Sequence, residues 1–460
     1  MDRAVMPPSA FERRLSSKRQ VGGPCGMERA VSEKSGSPLQ PPRGTRDFYP
    51  EDLRFRDWLF EHFRAVARAF GFEGVDAPVL EFEELFTRKA GEEITEQLFH
   101  FELHDRRYAL RPEFTPSLAR MVMARAGGLR LPLRWTTIAQ CWRYERMTRG
   151  RRREHYQWNM DIWGEPGVSA EAELIAAVFA LTDRLGLARG AVRIGISSRA
   201  LLEETLRAGA LRGRPEAFPA LCVAIDKLDK IGPEAVQEQL VDPNGAIRLS
   251  AAAAREVVDW LAVRDVEIAS AGLAPNSLAR TDLLRLFELL AAYGVADRVE
   301  FDASIVRGLA YYTGIVFEAF DAGRKLRAIC GGGRYDRLLE ALGGPAMPAV
   351  GFGFGDAVIE ALLDDEGVRP ALPRALDAVV FPFTEAERPA AIRVAQRLRA
   401  AGASVELALA PMKLRRALAD ADRAGARKIY LLGPEEVARG VALVRDLASG
   451  EQSEEPLPAG

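Results

Sequence analysis

The most distinctive chemical feature of the sequence is an arginine-rich run between two strand-like segments. Residues 143–153 contain six arginines, and strand patterns at 136–143 and 157–163 flank them like the arms of a hairpin. Guanidinium groups keep their charge and bind phosphate oxygens bidentately, so the run suits a polyphosphate. A solvated basic loop is the alternative interpretation. The hairpin favours a binding site, because it directs Arg143 and Gln157 from adjacent strands into one pocket.

Four other short segments contain candidate binding residues. They are RGTRD at 43–47, RPEFT at 111–115, RGLAYYTG at 307–314 and GGGRYD at 331–336. Each alone fits a structural role, as a turn, an ion pair or a pair of core aromatics. Together with the arginine hairpin they resemble the motifs of class II aminoacyl-tRNA synthetases, and specifically the histidyl-tRNA synthetase family. The resemblance covers about residues 43–455, including a C-terminal part similar to the family's anticodon-binding domain.

The resemblance implies activation of an amino acid by ATP, followed by its transfer to tRNA. In that reaction a carboxylate attacks the α-phosphorus of ATP, so cations must hold two anions together while negative charge grows. By resemblance Arg143 holds the α-phosphate and Arg307 bridges it to the carboxylate, which makes these two the expected catalytic residues. Arg151 is similar to the family's ligand of the terminal phosphates, and Glu145 to its contact with adenine. Mg²⁺ is expected with ATP, because it neutralises part of the phosphate charge.

The resemblance also assigns the binding of the amino acid, histidine. The expected histidine-binding residues are Glu113, Thr115, Gln157, Asp161, Arg307, Tyr311, Tyr312 and Tyr335. Glu113 and Gln157 match the family's ammonium-side positions, whereas Asp161, Tyr312 and Tyr335 match those that hydrogen-bond the imidazole. Buried polar groups of this kind reject amino acids without matching nitrogens, because the groups would then remain unpaired.

One segment departs from the family's pattern. Residues 348–355 fit the start of motif 3, but 356–359 read DAVI where Gly-x-Glu-Arg is common, so Val358 stands near the expected arginine. Either Arg152 or Arg153 compensates, or ATP binds more weakly.

Composition excludes several classes of protein. The chain has 460 residues, 48% of them hydrophobic, and a net charge of −2, so RNA must be bound by local basic patches rather than by a global positive field. The four cysteines and four histidines lack metal-ligand spacing, and no structural metal is expected. No apolar run approaches the roughly 20 residues of a bilayer span. We therefore expect a reduced, cytoplasmic protein that does not enter a membrane.

The pattern of elements predicts an α+β fold in several parts. We expect a disordered tail at 1–42, a class II-like catalytic domain with a mostly antiparallel sheet at 43–198 and 299–366, a helical insertion at 199–298, and an α/β domain similar to anticodon-binding domains at 374–456. The last domain follows a proline-rich link, and its alternating strands and helices extend from Leu376 to Leu432.

Two expectations concern partners. The C-terminal domain is expected to bind tRNA(His) through Lys413, Arg415 and Arg416, which lie at a helix start. A homodimer is expected, because the aromatic-rich helix at 51–70 and the strand at 75–80 resemble the family's dimer-forming motif 1.

The main alternative function is the synthetase-like regulatory subunit of ATP phosphoribosyltransferase, a histidine-sensing module without catalysis. Regulatory subunits of this kind lack the C-terminal domain. A structural RNA-binding or kinase-sensor module is a further alternative.

Overall fold

The fold is organised around an eight-stranded sheet, accompanied by two smaller sheets. The computed structural model describes residues 39–88, 96–306, 311–410 and 412–458. The described strands are β1 (Glu73–Gly74), β2 (Leu80–Phe82), β3 (His100–Leu103), β4 (Arg106–Leu110), β5 (Leu133–Trp142), β6 (Glu154–Trp163), β7 (Val192–Ser198), β8 (Val299–Phe301), β9 (Ile315–Asp321), β10 (Cys330–Arg334), β11 (Ala349–Gly355), β12 (Leu376–Pro382), β13 (Val405–Leu407), β14 (Ala426–Leu432), β15 (Val441–Asp446) and β16 (Gln452–Pro456).

Helices cover the large sheet and fill the segment between β7 and β8. The described α-helices are α1 (Pro50–Ala69), α2 (Glu84–Thr87), α3 (Thr115–Arg125), α4 (Ser169–Arg184), α5 (Arg199–Ala208), α6 (Phe218–Ile225), α7 (Leu228–Val241), α8 (Ala251–Leu261), α9 (Val266–Ala269), α10 (Leu278–Ala292), α11 (Leu338–Ala341), α12 (Asp356–Asp365), α13 (Arg388–Ala400), α14 (Leu414–Arg423) and α15 (Pro434–Ala438).

The large sheet has the order β1-β5-β6-β11-β10-β9-β7-β8. Within this sheet, as far as the structure describes it, only the outer pairs β1–β5 and β7–β8 are parallel, and the five pairs between them are antiparallel. This confirms the expected α+β class with a mostly antiparallel sheet. The expected hairpin is β5–β6, in which Ala139 faces Gln157 across the ladder.

One face of the large sheet is covered by α1, which begins with Pro50 and is followed by Gly71 at φ 74°. Its apolar stripe buries Phe63 against Trp158 of β6, with ring centroids 5.0 Å apart and nearly parallel planes. Phe55 and Phe60 are also buried in the chain's own core. The aromatic excess that we linked to a dimer interface therefore belongs largely to this core, and that part of the interpretation is wrong.

The C-terminal sheet has the order β13-β12-β14-β15-β16, with β12 parallel to both of its neighbours. The alternation predicted from Leu376 to Leu432 is confirmed as β12-α13-β13-α14-β14. Strands β15 and β16 complete the sheet and were not anticipated. Arg43–Gly460 form one compact unit, in which Arg54 Nε donates to the carbonyl of Leu372 at 2.9 Å just before this domain.

Several expectations fall on residues beyond the described ones. Residues 1–38 of the predicted tail lie outside the described residues. Residues 307–310, which include Arg307, lie outside them as well. The strand expected at 75–80 appears only as the short strands β1 and β2 on either side of 75–79. No helix in the described part of the chain combines the length and apolar character that a membrane crossing requires.

Candidate active site

A row of glycines forms the floor of the candidate site. On β11, Gly351 pairs with Asp161 and Gly353 with Asn159 of β6, while Phe352 and Phe354 point into the core on the other face. A Cβ atom at Gly351 would lie 2.9 Å from the hydroxyl of Tyr335 and closer still to the Asp161 carboxylate. The bare backbone therefore lets these polar groups lie directly on the sheet.

Asp161 and Tyr335 form a buried carboxyl–phenol pair on this floor. The Tyr335 hydroxyl donates a short hydrogen bond to Asp161 Oδ1, and both residues are 1% exposed. Asp161 Oδ2 is buried without a hydrogen-bond partner among the described residues. Burial, against the opposing effect of the Tyr335 hydrogen bond, raises the pKa of Asp161 to about 7. Burial and the neighbouring carboxylate also raise the pKa of Tyr335 well above 10, so its phenol remains a donor.

The second polar pair of the site is Glu113 with Tyr311. The Tyr311 hydroxyl donates to Glu113 Oε2 at 2.8 Å, and Thr115 also hydrogen-bonds Tyr311. The ring of Tyr311 lies 5.2 Å from that of Tyr312 and 5.9 Å from that of Tyr335. One cluster around Asp161 therefore contains five of the expected histidine-binding residues. They are Glu113, Thr115, Tyr311, Tyr312 and Tyr335.

Gln157 lies on the same face of β6 and completes the cluster. Its side chain extends over Gly353, where a Cβ atom would collide with the amide. The buried thiol of Cys141 donates to Gln157 Oε1 at 3.8 Å, and burial raises the pKa of Cys141 to about 12. This thiol therefore stays protonated and serves as a weak donor that holds the amide.

The arginine hairpin brings together the three residues expected to bind ATP. Arg151 forms a short ion pair with Glu145, whose side chain is only 7% exposed. Arg143 donates from Nε to the carbonyl of Pro112 at 2.9 Å and has Nη1 4.0 Å from Glu145. Thr148 and Arg151 bridge across a turn in which Gly150 has φ 75°, a conformation that favours glycine. These contacts hold two cations around one carboxylate.

His155, at the start of β6, lies among the same cations. Burial, together with the charges of Arg143, Arg46 and Arg151, lowers its pKa to about 3. The ring is therefore neutral at physiological pH, and it adds no charge to the arginines around it.

The position expected for the motif 3 arginine is filled by apolar packing. Val358 is buried in the main core, and a Cβ atom at Gly150 would lie 3.1 Å from its Cγ2 atom. The arginine loop is thus folded against α12, where Arg149 also forms an ion pair with Asp365. The Arg153 guanidinium lies 3.7 Å over the ring of Tyr144.

Arg152 is exposed and has no ion-pair partner in the described parts of the chain. It lines a cavity of about 230 Å³ together with Arg46 and Asp356. Arg152 and Arg153 are the two candidate substitutes for the missing motif 3 arginine. Because the guanidinium of Arg153 already lies over an aromatic ring, Arg152 is the better placed of the two to bind a phosphate.

Two supporting ion pairs were missed by the sequence interpretation. Arg46 Nη2 lies 2.7 Å from Asp356, whose other oxygen accepts from the backbone N–H of Tyr156 at 3.0 Å. Arg334, beside Tyr335, forms a buried bidentate pair with Glu171 at 2.6 and 2.7 Å. The glycine-rich segment could have pointed to Arg334 as a supporting residue. No local pattern could have pointed to its distant partner, Glu171.

The remaining expected residues lie apart from this cluster. Lys413 precedes α14, and Arg415 and Arg416 lie in its first turn with exposed side chains, in the C-terminal domain. Arg307 is outside the described residues. Among the residues that the structure does describe, no three His, Cys, Asp or Glu side chains converge on a possible metal position.

Comparisons with known proteins identify the family of the chain. The family model for histidyl-tRNA synthetase matches residues 44–356, and that for the anticodon binding domain matches 377–457. The chain is 48% identical to a chloroplastic/mitochondrial histidine–tRNA ligase of Arabidopsis thaliana, over 90% of this chain and 84% of that protein. It is 41% identical to a histidine–tRNA ligase of Opitutus terrae, over 90% of this chain and 95% of the relative.

Among solved structures, the fold is similar to that of histidyl-tRNA synthetase from Nostoc sp. PCC 7120, with a TM-score of 0.73 and 24% identity over 92% of this chain and 97% of that one. A Bacillus halodurans protein described as an ATP phosphoribosyltransferase regulatory subunit/histidyl-tRNA synthetase has a TM-score of 0.70 at 23% identity, over 87% of this chain and 99% of that one. These likenesses concern the fold. The family models and the relatives together show that the chain belongs to the histidyl-tRNA synthetase family, within the class II aminoacyl-tRNA ligases.

Proposed function

We propose that this chain activates L-histidine with ATP, releases pyrophosphate, and transfers histidine to the 3′ end of tRNA(His). The observation that carries the proposal is the buried Asp161–Tyr335 pair, because its second carboxylate oxygen is available to an N–H donor on a floor without side chains. An imidazole nitrogen meets that requirement, whereas an aliphatic side chain would leave the oxygen unpaired. Incubation with labelled histidine, ATP and tRNA(His) should yield histidine attached to the RNA, and failure to do so would refute the transfer step.

On the amino-acid side, Glu113 and Gln157 are proposed to hold the ammonium group, with Thr115 beside them. The carboxylate of Glu113 already accepts one hydrogen bond from Tyr311, which orients its oxygens. Asp161, Tyr312 and Tyr335 are proposed to contact the imidazole. A ligand that reaches both polar pairs must carry one cationic end and one ring with an N–H donor, as histidine does.

On the nucleotide side, Arg143 is proposed to hold the α-phosphate and Arg151 the terminal phosphates. In this structure Arg151 is paired with Glu145. Phosphate oxygens compete for that guanidinium, and its release leaves the Glu145 carboxylate to accept the exocyclic amine of adenine. Arg307 is proposed to bridge phosphate and carboxylate, which rests on the family signature alone. Arg152 is proposed to replace the missing motif 3 arginine.

Mg²⁺ is proposed to arrive bound to the phosphates of ATP. The described residues provide no cage of carboxylates for it. Mg²⁺ commonly keeps several waters and is held by substrate phosphates with one or two carboxylates, so such a cage is not required. When bound, the ion neutralises phosphate charge, while the arginines of this chain orient the α-phosphorus toward the attacking carboxylate.

The C-terminal domain is proposed to bind tRNA(His) through Lys413, Arg415 and Arg416. Their exposure at one end of α14 supports this, because phosphate contacts need accessible cations. The division into a catalytic domain at 43–198 and 299–366, an insertion at 199–298 and an RNA-binding domain at 374–456 is part of the same proposal.

A homodimer is proposed on the surface of the sheet β2-β4-β3. One face of this sheet exposes Leu80, Phe82, Phe101 and Leu103, and the rings of Phe82 and Phe101 both stack against Tyr108. A contiguous apolar face of this kind is typical of an interface between subunits. The surface lies next to the segment that resembles motif 1, although not on the helix we first considered.

The cytoplasm is proposed as the location of the protein. Cys141, Cys222 and Cys330 are buried cysteines, and Cys141 and Cys222 are thiols outside any disulfide, which fits a reducing compartment. Cell fractionation with an antibody to the chain checks this, and recovery in an organelle would contradict it.

A further inference from the structure

Two oxygen atoms on β6 are buried without a hydrogen-bond partner in the described ranges. They are Asp161 Oδ2, discussed above, and Asn159 Oδ1, which no part of the proposed mechanism uses. Asn159 is 2% exposed. Buried polar atoms in folded proteins are nearly always paired, so an unpaired one beside a binding site indicates a group that pairs with the ligand.

Both atoms belong to the same face of the sheet. Asn159 pairs across the ladders with Thr137 of β5 and Gly353 of β11, two residues from the Asp161 position. The intervening Met160 faces the opposite side, in the core beneath α1. Alternate residues of a strand are about 6.6 Å apart, so the two oxygens can flank one small planar ring.

Asn159 is the middle one of three polar residues on this face of β6, between Gln157 and Asp161. Gln157 covers Gly353 on one side, and Asp161 covers Gly351 on the other. Gln157 is proposed for the ammonium end of the amino acid and Asp161 for one nitrogen of its ring. In a histidine that extended between them, the second ring nitrogen would fall over Asn159, the residue in the middle.

We propose that the side-chain amide of Asn159 contacts the imidazole nitrogen that Asp161 does not reach, and so is a second determinant of histidine specificity. This inference rests on the proposed function. An amide both donates and accepts, so Asn159 can pair with that nitrogen whether or not it carries a proton. Recognition of both nitrogens excludes planar analogues that offer only one, because one buried group would then remain unpaired.

The test uses ATP–pyrophosphate exchange by the full-length protein with histidine and with its two N-methyl isomers, each of which blocks one ring nitrogen. We expect Asn159→Ala to raise KM for histidine about tenfold or more and to leave KM for ATP unchanged. We also expect it to accept one N-methyl isomer better than the wild type does, because the lost amide makes room for that methyl group. Asp161→Ala should favour the other isomer.

The matched control is Thr136→Val, on the opposite face of the same strand pair. Thr136 Oγ1 donates to the carbonyl of Asn159 at 2.8 Å and accepts from Trp158 Nε1 at 3.1 Å, so its loss disturbs the strand but not the site face. KM for histidine should change less than about twofold in this variant. Asn159→Ser, which keeps a smaller polar group, should fall between Asn159→Ala and the wild type, and it serves if the alanine variant is insoluble.

Four outcomes would overturn the inference. An unchanged KM for histidine in both Asn159 variants, beside normal wild-type exchange, would refute it and leave the proposed function intact. Equal losses for histidine and ATP, or continued rejection of both N-methyl isomers, would show that Asn159 acts through the fold or on the ammonium group. If the wild type itself shows no histidine-dependent exchange, the proposed function fails and the inference fails with it.

Discussion

The hydroxyl of Tyr335 donates to Oδ1 of Asp161 directly above the bare backbone of Gly351. Three strands contribute to this contact, because Asp161 is on β6, Gly351 on β11 and Tyr335 follows β10. Desolvation makes the carboxylate costly to the empty protein, and a matching N–H donor recovers that cost. The contact therefore costs stability when no ligand is bound, and it favours a ligand that carries an N–H donor, such as an imidazole.

The buried carboxyl should make stability fall as pH rises. Burial raises the pKa of Asp161 from 3.8 to about 7, so between these values the folded protein holds a proton that the unfolded chain has released. This contribution is complete below about pH 4 and is lost as pH rises through about 7. Asp161→Asn removes the titration. Without substrates, the wild-type unfolding temperature should therefore fall relative to the variant between about pH 5 and pH 8. Scanning calorimetry over this range checks the expectation, and a constant difference would contradict it.

A side chain at Gly351 should damage histidine binding specifically. In Gly351→Ala the new methyl group would collide with Asp161 and Tyr335, whereas in Gly355→Ala the nearest atom is the Ile329 carbonyl oxygen at 4.0 Å. Overpacking of this kind costs about 1–3 kcal/mol, which corresponds to roughly a five- to 150-fold higher KM for histidine. KM for histidine in the two variants, which alter the same strand, can be compared by ATP–pyrophosphate exchange. Similar effects at both positions would show that β11 merely tolerates no side chain at its glycine positions.

Two arginines of one loop should differ in their effect on ATP. Arg151 pairs with the largely buried Glu145, whereas Arg149 pairs with Asp365 on the surface of α12. Arg151→Ala should raise KM for ATP about tenfold or more while KM for histidine stays the same, because a charged phosphate contact is lost. Arg149→Ala is the control and should change KM for ATP little, since an exposed ion pair contributes little. The assignment of Arg151 fails if the two variants behave alike.

The exposed face of β2-β4-β3 should determine the oligomeric state. Phe82 is 51% exposed on this face, and Leu278 is 73% exposed on α10 in the segment between β7 and β8. Phe82→Asp places a charge in the proposed interface and should give a monomer of 50.5 kDa, whereas Leu278→Asp should leave a dimer. Sedimentation velocity distinguishes the two masses. A wild-type monomer, or a Phe82→Asp dimer, would refute the interface.

Much of the site could be predicted, because its signals are local in the sequence. The period of two in β6 places Gln157 and Asp161 on one face, and the arginines between β5 and β6 predict the turn at Gly150. The same alternation points to Asn159, which lies between them, but the resemblance supplied no role for it. The pattern of the C-terminal domain was equally legible as far as β14.

The parts that could not be predicted depend on contacts between distant residues. The pairing of Arg334 with Glu171 joins positions 163 residues apart, and no local pattern identifies the partner. The aromatics of α1 fit equally well in a core or in an interface, since both bury apolar surface. The exposed face of β2-β4-β3 was not visible either, because short strands carry weak periodicity.

The most direct test of the account is ATP–pyrophosphate exchange measured with each of the common amino acids in turn. We expect exchange with histidine alone, and in Asp161→Ala we expect a loss of histidine-dependent exchange while the affinity for ATP is retained in a nucleotide-binding assay. Exchange with another amino acid would contradict the assignment of the Asp161–Tyr335 pair to an imidazole. Histidine binding without any exchange would contradict the catalytic function and favour a histidine-sensing regulatory subunit.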